Sequence, residues 1–322
     1  MLVVQIARGG SFSGKIETPH GGYRISGALT ASGTGVALVG QGHSPPVYIS
    51  LGLDAVAGEL SAQAHLAGEI GPVLWAGRAK RGYVASEGGQ NPAAGYYTMG
   101  IQPRDATKFG TGFAAVNVDK KGSMRLAGRM PDGSRFTAGL KLDEEQTAAL
   151  FFPAYRGEGF AMGQVVARGT EGTRKQLVGT LRWVKAAASA TSADKYYRRG
   201  FDREVAMAGE EYVPPASGIP AMNAAKPPGH FTFQASGGGL SPDPMVRLVT
   251  LNGCNRLASP ADAVRLRLEI DPQHGLFHAS FQLDAASQPV RGEGVLLQAT
   301  NAVEGLFLGS EEAGTILLEP TQ

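Results

Sequence analysis

One ten-residue stretch, "KYYRRGFDRE" at 195–204, combines two tyrosines, a phenylalanine and three arginines. Aromatic rings beside basic groups can stack on sugar rings or on nucleic-acid bases, and an exposed tyrosine is a common binding anchor. In the alternative interpretation, which the pattern favours, the aromatic rings anchor a linker to the protein while the arginines remain in solvent. The candidate ligand-binding residues are Tyr196, Tyr197, Arg198, Arg199 and Phe201.

Histidine spacing offers little support for a metal site. The closest pair, His274 and His278 in "HGLFH", would share one face of a helix, but on a strand the same spacing separates the two residues by roughly 13 Å. Gly275 follows His274 directly, which indicates a turn at that position. The sequence therefore predicts solvated histidines, with no metal and no cofactor.

Motifs for nucleotide binding and for hydrolysis are incomplete. "GTGFAA" at 110–115 fits a dinucleotide fingerprint by its letters, but it runs into an alternating strand pattern and no helix follows. The chain has no GxSxG nucleophile elbow. Adjacent acids at 143–145, 209–211 and 310–312 are typical of solvated turns, although two of them meeting across a cleft would suit a glycosidase. We therefore assign no catalytic residue.

Composition and charge exclude several classes of protein. The 322 residues carry 30 basic and 28 acidic side chains, a net charge of +2, which is too balanced for bulk attraction to nucleic acid. The single cysteine, Cys254, excludes an intramolecular disulfide. No apolar run reaches the length of a transmembrane helix, and the first residues lack the pattern of a secretory signal.

The elements that must position these residues are strands. Period-2 alternation interrupted by glycine, proline, aspartate and serine runs along the whole chain, which indicates an all-β protein. Aligning the chain with itself shows one strand-turn-strand pattern three times, at 3–40, 115–152 and 267–309, with a turn glycine at Gly10, Gly122 and Gly275. Each copy predicts a four-stranded antiparallel meander.

These copies define the expected architecture. We expect antiparallel meanders that curl into β-barrels or sandwiches, in three internally related units. An Ala/Ser-rich insertion begins at 186, and "REVAMAGEEY" within it alternates well enough to return as a strand. Trp75 and Trp183 lie in alternating segments and are expected in the core. The predicted boundaries are 1–88 and 89–212 for the first two units, 213–228 for a Pro/Ala-rich linker and 229–322 for the third unit.

The order of these segments resembles a β-rich repeat module found near the C-terminal ends of very large secreted or surface proteins of environmental bacteria. The resemblance implies an extracellular location and an adhesive or architectural role without catalysis, and it assigns no functional residues. It is carried by "AGYYTMGI" (94–101), the glycine-rich hairpin at 110–139, "LFFPAYRGEGFAMGQV" (150–165), "LVGTLRWVKA" (177–186), and the segments 195–215 and 292–320.

Three hypotheses about function follow. The preferred one is a non-catalytic extracellular structural or adhesive module that contacts neighbouring domains of a larger chain and is a candidate for binding polysaccharide. The alternative is a hydrolase acting on polysaccharide or ester, with a site assembled from dispersed acids or histidines. An outer-membrane β-barrel is disfavoured because aromatic residues make up only 7% of the chain and the insertion interrupts a regular hairpin count.

Overall fold

The structure is a computed structural model and consists almost entirely of antiparallel strands joined by short turns. The all-β fold class predicted from the alternation is confirmed. The structure describes residues 1–321 except 40–46, 67–72, 74, 85, 87–88, 105–108, 170–173, 191, 193–194, 224–229, 241–242, 253–254, 260–264 and 283–287. Cys254 and part of the predicted linker lie outside the described residues.

The first unit contains a three-stranded and a four-stranded sheet around one shared core. The sheet orders are β1-β2-β3 and β4-β5-β6-β7, with every pair antiparallel. Phe12 and Ile25 of the first sheet pack into the same core as Ile49 and Leu51 of the second. The strands are β1 (Leu2–Ile6), β2 (Ser11–Thr18), β3 (Gly21–Ala28), β4 (Thr34–Val39), β5 (Val47–Asp54), β6 (Glu59–Leu66) and β7 (Trp75–Lys80).

The second unit is a single eight-stranded sheet in the order β11-β10-β9-β8-β15-β14-β13-β12. It curls around a core that includes Tyr97, Met124 and Trp183. One turn of 3₁₀ helix, Tyr155–Gly157, follows β12. The strands are β8 (Gly95–Pro103), β9 (Gly112–Val118), β10 (Ser123–Arg129), β11 (Arg135–Lys141), β12 (Thr147–Ala154), β13 (Gly159–Arg168), β14 (Gln176–Lys185) and β15 (Phe201–Glu211).

The third unit is a closed eight-stranded barrel in which β23 pairs with β16. Its interior is filled by aromatic rings, with Phe281 in edge contact with both Phe233 and Phe307. The strands are β16 (His230–Gly237), β17 (Met245–Leu251), β18 (Arg256–Ala258), β19 (Arg267–Asp271), β20 (Leu276–Phe281), β21 (Val290–Leu297), β22 (Ala302–Leu308) and β23 (Ala313–Pro320).

The three units share one hairpin turn, which gives the sequence repeat its physical basis. Gly10, Gly122 and Gly275 have φ of +82°, +77° and +64°, a left-handed region that glycine adopts without steric cost. The carbonyl of each glycine accepts a hydrogen bond from a leucine N–H at the end of the next hairpin, from Leu29 (2.8 Å), Leu142 (2.9 Å) and Leu296 (2.7 Å). The relation among the three units that the sequence predicts is therefore also present in their backbone hydrogen bonds.

The fourth strand of the predicted meander behaves differently among the copies. In the third copy β22 continues the ladder beside β21, as predicted. In the first two copies β4 and β12 do not pair with the preceding strands β3 and β11, so the prediction of a continuous ladder is wrong there. Each sheet opens at this point, because strand twist in a curved sheet separates neighbouring strands unless the barrel closes.

The two tryptophans have different environments. Trp183 on β14 is fully buried, which confirms the core prediction for that residue. Trp75 is 41% exposed, so the same prediction is wrong for Trp75. Strand β7 is the last strand of its sheet, and its alternation alone does not distinguish an edge strand from a central one.

Candidate functional site

The basic-aromatic segment 195–201 lies at the junction of the second and third units. The ring of Tyr197 stacks on Phe109 with centroids 4.7 Å apart and an interplanar angle of 11°. Phe201, the first residue of β15, packs against Trp183 with centroids 4.2 Å apart. Both rings thus extend the core of the second unit.

The two tyrosine hydroxyls of this segment reach the third unit. Tyr196 donates a hydrogen bond to the Gly309 carbonyl (3.2 Å), and the Ala313 N–H donates to the Tyr197 hydroxyl (2.9 Å). Burial raises the pKa of Tyr197 well above its usual range, so its hydroxyl stays neutral. These contacts give the segment a structural use as an anchor between units.

The arginines of the segment face the solvent side. The Arg198 guanidinium donates to the carbonyls of Ser192 (2.8 Å) and Ser189 (3.1 Å) in the preceding loop. Arg199 is exposed. The structure therefore brings Tyr196, Tyr197 and Phe201 together as an anchor, and ligand contact by these residues with Arg198 and Arg199 stays a prediction.

The same junction continues along β8, β10 and β21. Thr98, fully buried on β8, donates to the Leu296 carbonyl (2.7 Å). Arg129 forms a two-point ion pair with Glu293, with Nε to Oε2 at 2.5 Å and Nη2 to Oε1 at 2.9 Å. The hydrogen bond from Arg129 lowers the pKa of the Glu293 carboxyl against the opposing effect of burial.

A second group of contacts surrounds the chain as it leaves β15. The Tyr212 hydroxyl donates to the Pro272 carbonyl (2.7 Å), and that of Tyr96 donates to the His274 carbonyl (3.1 Å). Burial raises the pKa of Tyr212 to about 12, which keeps it a donor at neutral pH. Beyond it, the Gln298 side chain bonds both the N–H and the carbonyl of Val213. The described part of the predicted linker is thus docked on the third unit.

The histidine pair takes the positions that the sequence predicts. His274 lies in the turn between β19 and β20, where its Nδ1 is 2.8 Å from Asp271 Oδ2. His278 lies on β20 and faces outward. Within the part of the chain that the structure describes, no group of three or more histidine, cysteine, aspartate or glutamate residues could hold a metal ion.

Acidic residues of the turns at 143–145 and 209–211 have basic partners. Glu145 pairs with Lys80, which connects the second unit to the first. Glu210, nearly buried, accepts a hydrogen bond from the Ala299 N–H, and its neighbour Glu211 pairs with Lys175 at 3.1 Å. The contacts of Glu145 and Glu210 place these two acids at unit boundaries. The letters "GTGFAA" lead into strand β9 rather than a helix, as predicted.

A cavity of about 780 Å³ lies on the third unit beside strands β18 to β21. Residues of these strands line it, and three of them are exposed arginines on three different strands. The sequence interpretation did not select these residues, because each arginine stands alone in its strand. The lining residues with ionisable side chains are Arg256, Arg267, Arg291, His278, Glu269 and Glu293.

Comparison with known proteins gives no family for this chain. No family model matches it, and no curated protein matches it. Among solved structures, transferrin binding protein B (TbpB) of Haemophilus parasuis Hp5, a vaccine antigen crystallised as a double mutant, is 11% identical with a TM-score of 0.23; the alignment covers 98% of this chain and 64% of TbpB. A single mutant of TbpB is 10% identical, with a TM-score of 0.24.

A further solved structure is a protein of unknown function from the DUF3598 family of Nostoc punctiforme PCC 73102. It is 12% identical over 71% of this chain and 96% of its own, with a TM-score of 0.20. All these scores lie below 0.5, so these similarities carry no argument about function. Within the described ranges, no helix has the length and the apolar character needed to cross a membrane.

Proposed function

We propose that this chain is a non-catalytic structural and adhesive module of a secreted or cell-surface protein. The observation that carries the proposal is the junction between the second and third units, in which buried polar groups of one unit form hydrogen bonds and an ion pair with groups of the other unit. A spacer that transmits force or presents a surface needs fixed geometry between its domains. Buried, satisfied hydrogen bonds and ion pairs provide that geometry better than a flexible linker.

Close backbone approach adds to the rigidity of the junction. A Cβ on Gly110 would lie 2.6 Å from the Gly314 carbonyl oxygen of the third unit. Phe113 of β9 packs with Val295 and Leu297 of β21 in an apolar cluster that spans the two units. Apolar packing of this kind, together with the ion pair of Arg129 and Glu293, favours one fixed orientation over a hinge.

A second function, glycan binding, is favoured by the arginine-lined cavity of the third unit. Arg256, Arg267 and Arg291 outnumber the acids of this face: Glu293 is already engaged by Arg129, and Glu269 lies opposite Arg256. Guanidinium groups bind carboxylates and sulfates through paired hydrogen bonds. We propose an acidic polysaccharide, rich in uronic acid or sulfate, as the ligand class for this face.

The adhesive proposal is tested by glycan-array binding with the intact chain, including polygalacturonate, alginate and heparin. We expect binding to acidic polymers that weakens with salt and is reduced about tenfold or more in an Arg256→Ala, Arg291→Ala variant. The matched control is Arg198→Ala, Arg199→Ala, which removes two arginines from the junction segment. Loss of binding in the control alone would instead place the ligand at the segment 195–201.

The absence of catalysis is tested on the same polymers. We expect no release of reducing ends over a prolonged incubation with the intact chain. Release that is abolished when one acidic residue is replaced would overturn the non-catalytic proposal and favour the hydrolase.

The rigid junction has its own test. Small-angle scattering should give one compact arrangement of the second and third units that does not change with ionic strength near neutral pH. A Tyr196→Phe, Tyr197→Phe variant should loosen it, whereas an Arg199→Ala control should not. A scattering profile that requires an ensemble of orientations in the unmodified chain would contradict the structural role.

A further inference from the structure

The first unit repeats seven of the eight strands of the second unit. Strands β1 to β7 follow the same antiparallel sequence as β9 to β15, and both sheets open at the same point, between β3 and β4 and between β11 and β12. The first hairpins close identically, with Ile6 opposite Phe12 and Val118 opposite Met124. The match therefore extends to residue register.

The turns at the sheet openings match as well. In the first unit, the Leu53 N–H donates to the Gly33 carbonyl at 2.8 Å. In the second, the Ala167 N–H donates to the Gln146 carbonyl at 2.8 Å. Gly33 and Gln146 both have positive φ, +79° and +60°. The correspondence of β4 to β12 and of β5 to β13 follows from these bonds.

The eighth strand of the second unit has no counterpart among the described residues of the first. Strand β8 lies between β9 and β15 and is antiparallel to both. By the correspondence above, the equivalent position in the first unit lies between β1 and β7. Among the described strands, β1 pairs only with β2, and β7 pairs only with β6. We call this position the strand slot.

Both edges of the slot present backbone hydrogen-bonding groups. Met1 and Ala7, at the two ends of β1, form backbone hydrogen bonds with Glu17 and Ser11 across the hairpin. Because successive residues of a strand direct their N–H and C=O groups to opposite sides, the even-numbered residues of β1 direct theirs away from β2. On β7, the Arg81 N–H bonds the Gly58 carbonyl, so the even residues again face away from β6. The slot-facing residues are Leu2, Val4 and Ile6 on β1 and Ala76, Arg78 and Lys80 on β7.

The side chains beside the slot are apolar and incompletely covered. Val116 and Val205, in the strands that flank β8 in the second unit, are fully buried. In the first unit, Leu2 and Val4 pack against the core only partly buried, and Trp75 on β7 is 41% exposed. An apolar inner face that is covered in one copy and open in the other indicates a missing layer of side chains.

We propose that the strand slot binds an extended segment of a different protein as an added β-strand, antiparallel to both β1 and β7. The chemistry of the segment follows from β8, in which Tyr97, Met99 and Ile101 point inward and are fully buried. The partner segment therefore carries large apolar residues at alternate positions over five to nine residues. Backbone bonds to both edges give affinity, and the alternating apolar side chains give specificity. This inference stands independently of the proposed polysaccharide site on the third unit.

The test uses a fluorescein-labelled synthetic peptide with the sequence of residues 94–104, "AGYYTMGIQPR", and the intact chain. We expect saturable binding by fluorescence anisotropy, with a blue shift of Trp75 emission as the peptide covers the indole. A peptide with lysine in place of Met99 should bind about tenfold more weakly or worse, because its charge would face the core.

A pair of variants tests the backbone contacts. Arg78→Pro removes a slot-facing N–H while leaving the bonds between β6 and β7, since proline is tolerated on an edge strand. Arg78→Ala removes the same side chain and keeps the N–H. We expect about a tenfold loss of peptide affinity for the proline variant relative to the alanine variant. Equal affinities would overturn the proposal.

Hydrogen exchange keeps the test decisive if the proline variant fails to fold. With peptide bound to the unmodified chain, the amides of Leu2, Val4 and Ile6 and those of Ala76, Arg78 and Lys80 should exchange more slowly. Protection elsewhere, or no saturable binding up to about 1 mM peptide, would overturn the proposal. Concentration-dependent dimers of the chain that are abolished by Arg78→Pro would overturn it in favour of a second copy as the occupant.

Discussion

Replacing Tyr155 by phenylalanine should destabilise the second unit strongly, although it removes a single oxygen atom. The Tyr155 hydroxyl donates to Asp132 Oδ2 at 2.6 Å and accepts from Trp183 Nε1 at 2.9 Å. Burial raises its pKa well above the usual range, so the hydroxyl is a neutral donor and acceptor at all ordinary pH values. In the phenylalanine variant, the indole N–H of the fully buried Trp183 has lost this acceptor.

The magnitude follows from these two contacts. A hydrogen bond to a charged acceptor contributes about 1.5 to 3 kcal/mol, and a buried donor left without a partner costs about 1 to 3 kcal/mol. Asp132 keeps its bonds from the N–H and the hydroxyl of Ser134 at 2.9 and 2.6 Å, which limits the first contribution. We expect a loss of about 3 kcal/mol in unfolding free energy and a fall in Tm of about 6 to 12 °C.

The assay is urea unfolding followed by tryptophan fluorescence in a Trp75→Phe background, which leaves Trp183 as the reporter in the core of the second unit. Tyr48→Phe is the control, because Tyr48 is 38% exposed on the outer face of β5 and should change stability by less than about 0.5 kcal/mol. A change of less than about 0.5 kcal/mol for Tyr155→Phe would refute the reasoning. Unfolding followed by circular dichroism should further show that the stability losses of Tyr155→Phe and Trp183→Phe are not additive, since both variants remove the hydrogen bond between these two side chains.

Three further predictions concern the junction between the second and third units. The pKa of the Glu293 carboxyl is lowered from 4.5 in the folded state, chiefly by the hydrogen bond from Arg129, so its contribution to stability is present above pH 4.5 and is lost as the pH falls through the folded pKa. Glu293→Gln should therefore reduce the loss of unfolding free energy at acid pH in urea-unfolding curves measured between pH 3 and pH 7. An unchanged dependence on pH would contradict the pairing. Gly275→Ala should lower stability by about 1 to 3 kcal/mol in thermal melts, because a Cβ at φ +64° would lie 2.6 Å from the Tyr212 ring, whereas Gly139→Ala, with open space around it, should have little effect. Phe113→Ala should separate the melting of the two units in calorimetry, since it empties the apolar cluster shared with Val295, and a single unchanged transition would show that the cluster does not couple them.

Local features of the fold could be predicted from the sequence because they depend on neighbouring residues. Alternation of apolar and polar residues indicated the strands, and turn glycines such as Gly10 and Gly122 marked hairpins because only glycine adopts positive φ readily. The candidate site was partly predictable for the same reason. The anchor interpretation of Tyr196, Tyr197 and Phe201 depended on aromatic rings in a linker, and the structure shows these rings in contact with the protein.

Features that depend on distant pairing were decided by the tertiary structure alone. Strand β15 lies beside β8, about one hundred residues earlier in the chain, and no local pattern specifies that partner. Alternation is the same in an edge strand as in a central one, so the exposure of Trp75 became visible only once β7 was placed at the end of its sheet. Arg256, Arg267 and Arg291 likewise converge only because the strands of the third unit lie side by side. The sequence by itself determined the strands and their turns through local backbone sterics; the edges, the junction and the arginine face depend on non-local contacts that a local pattern does not encode.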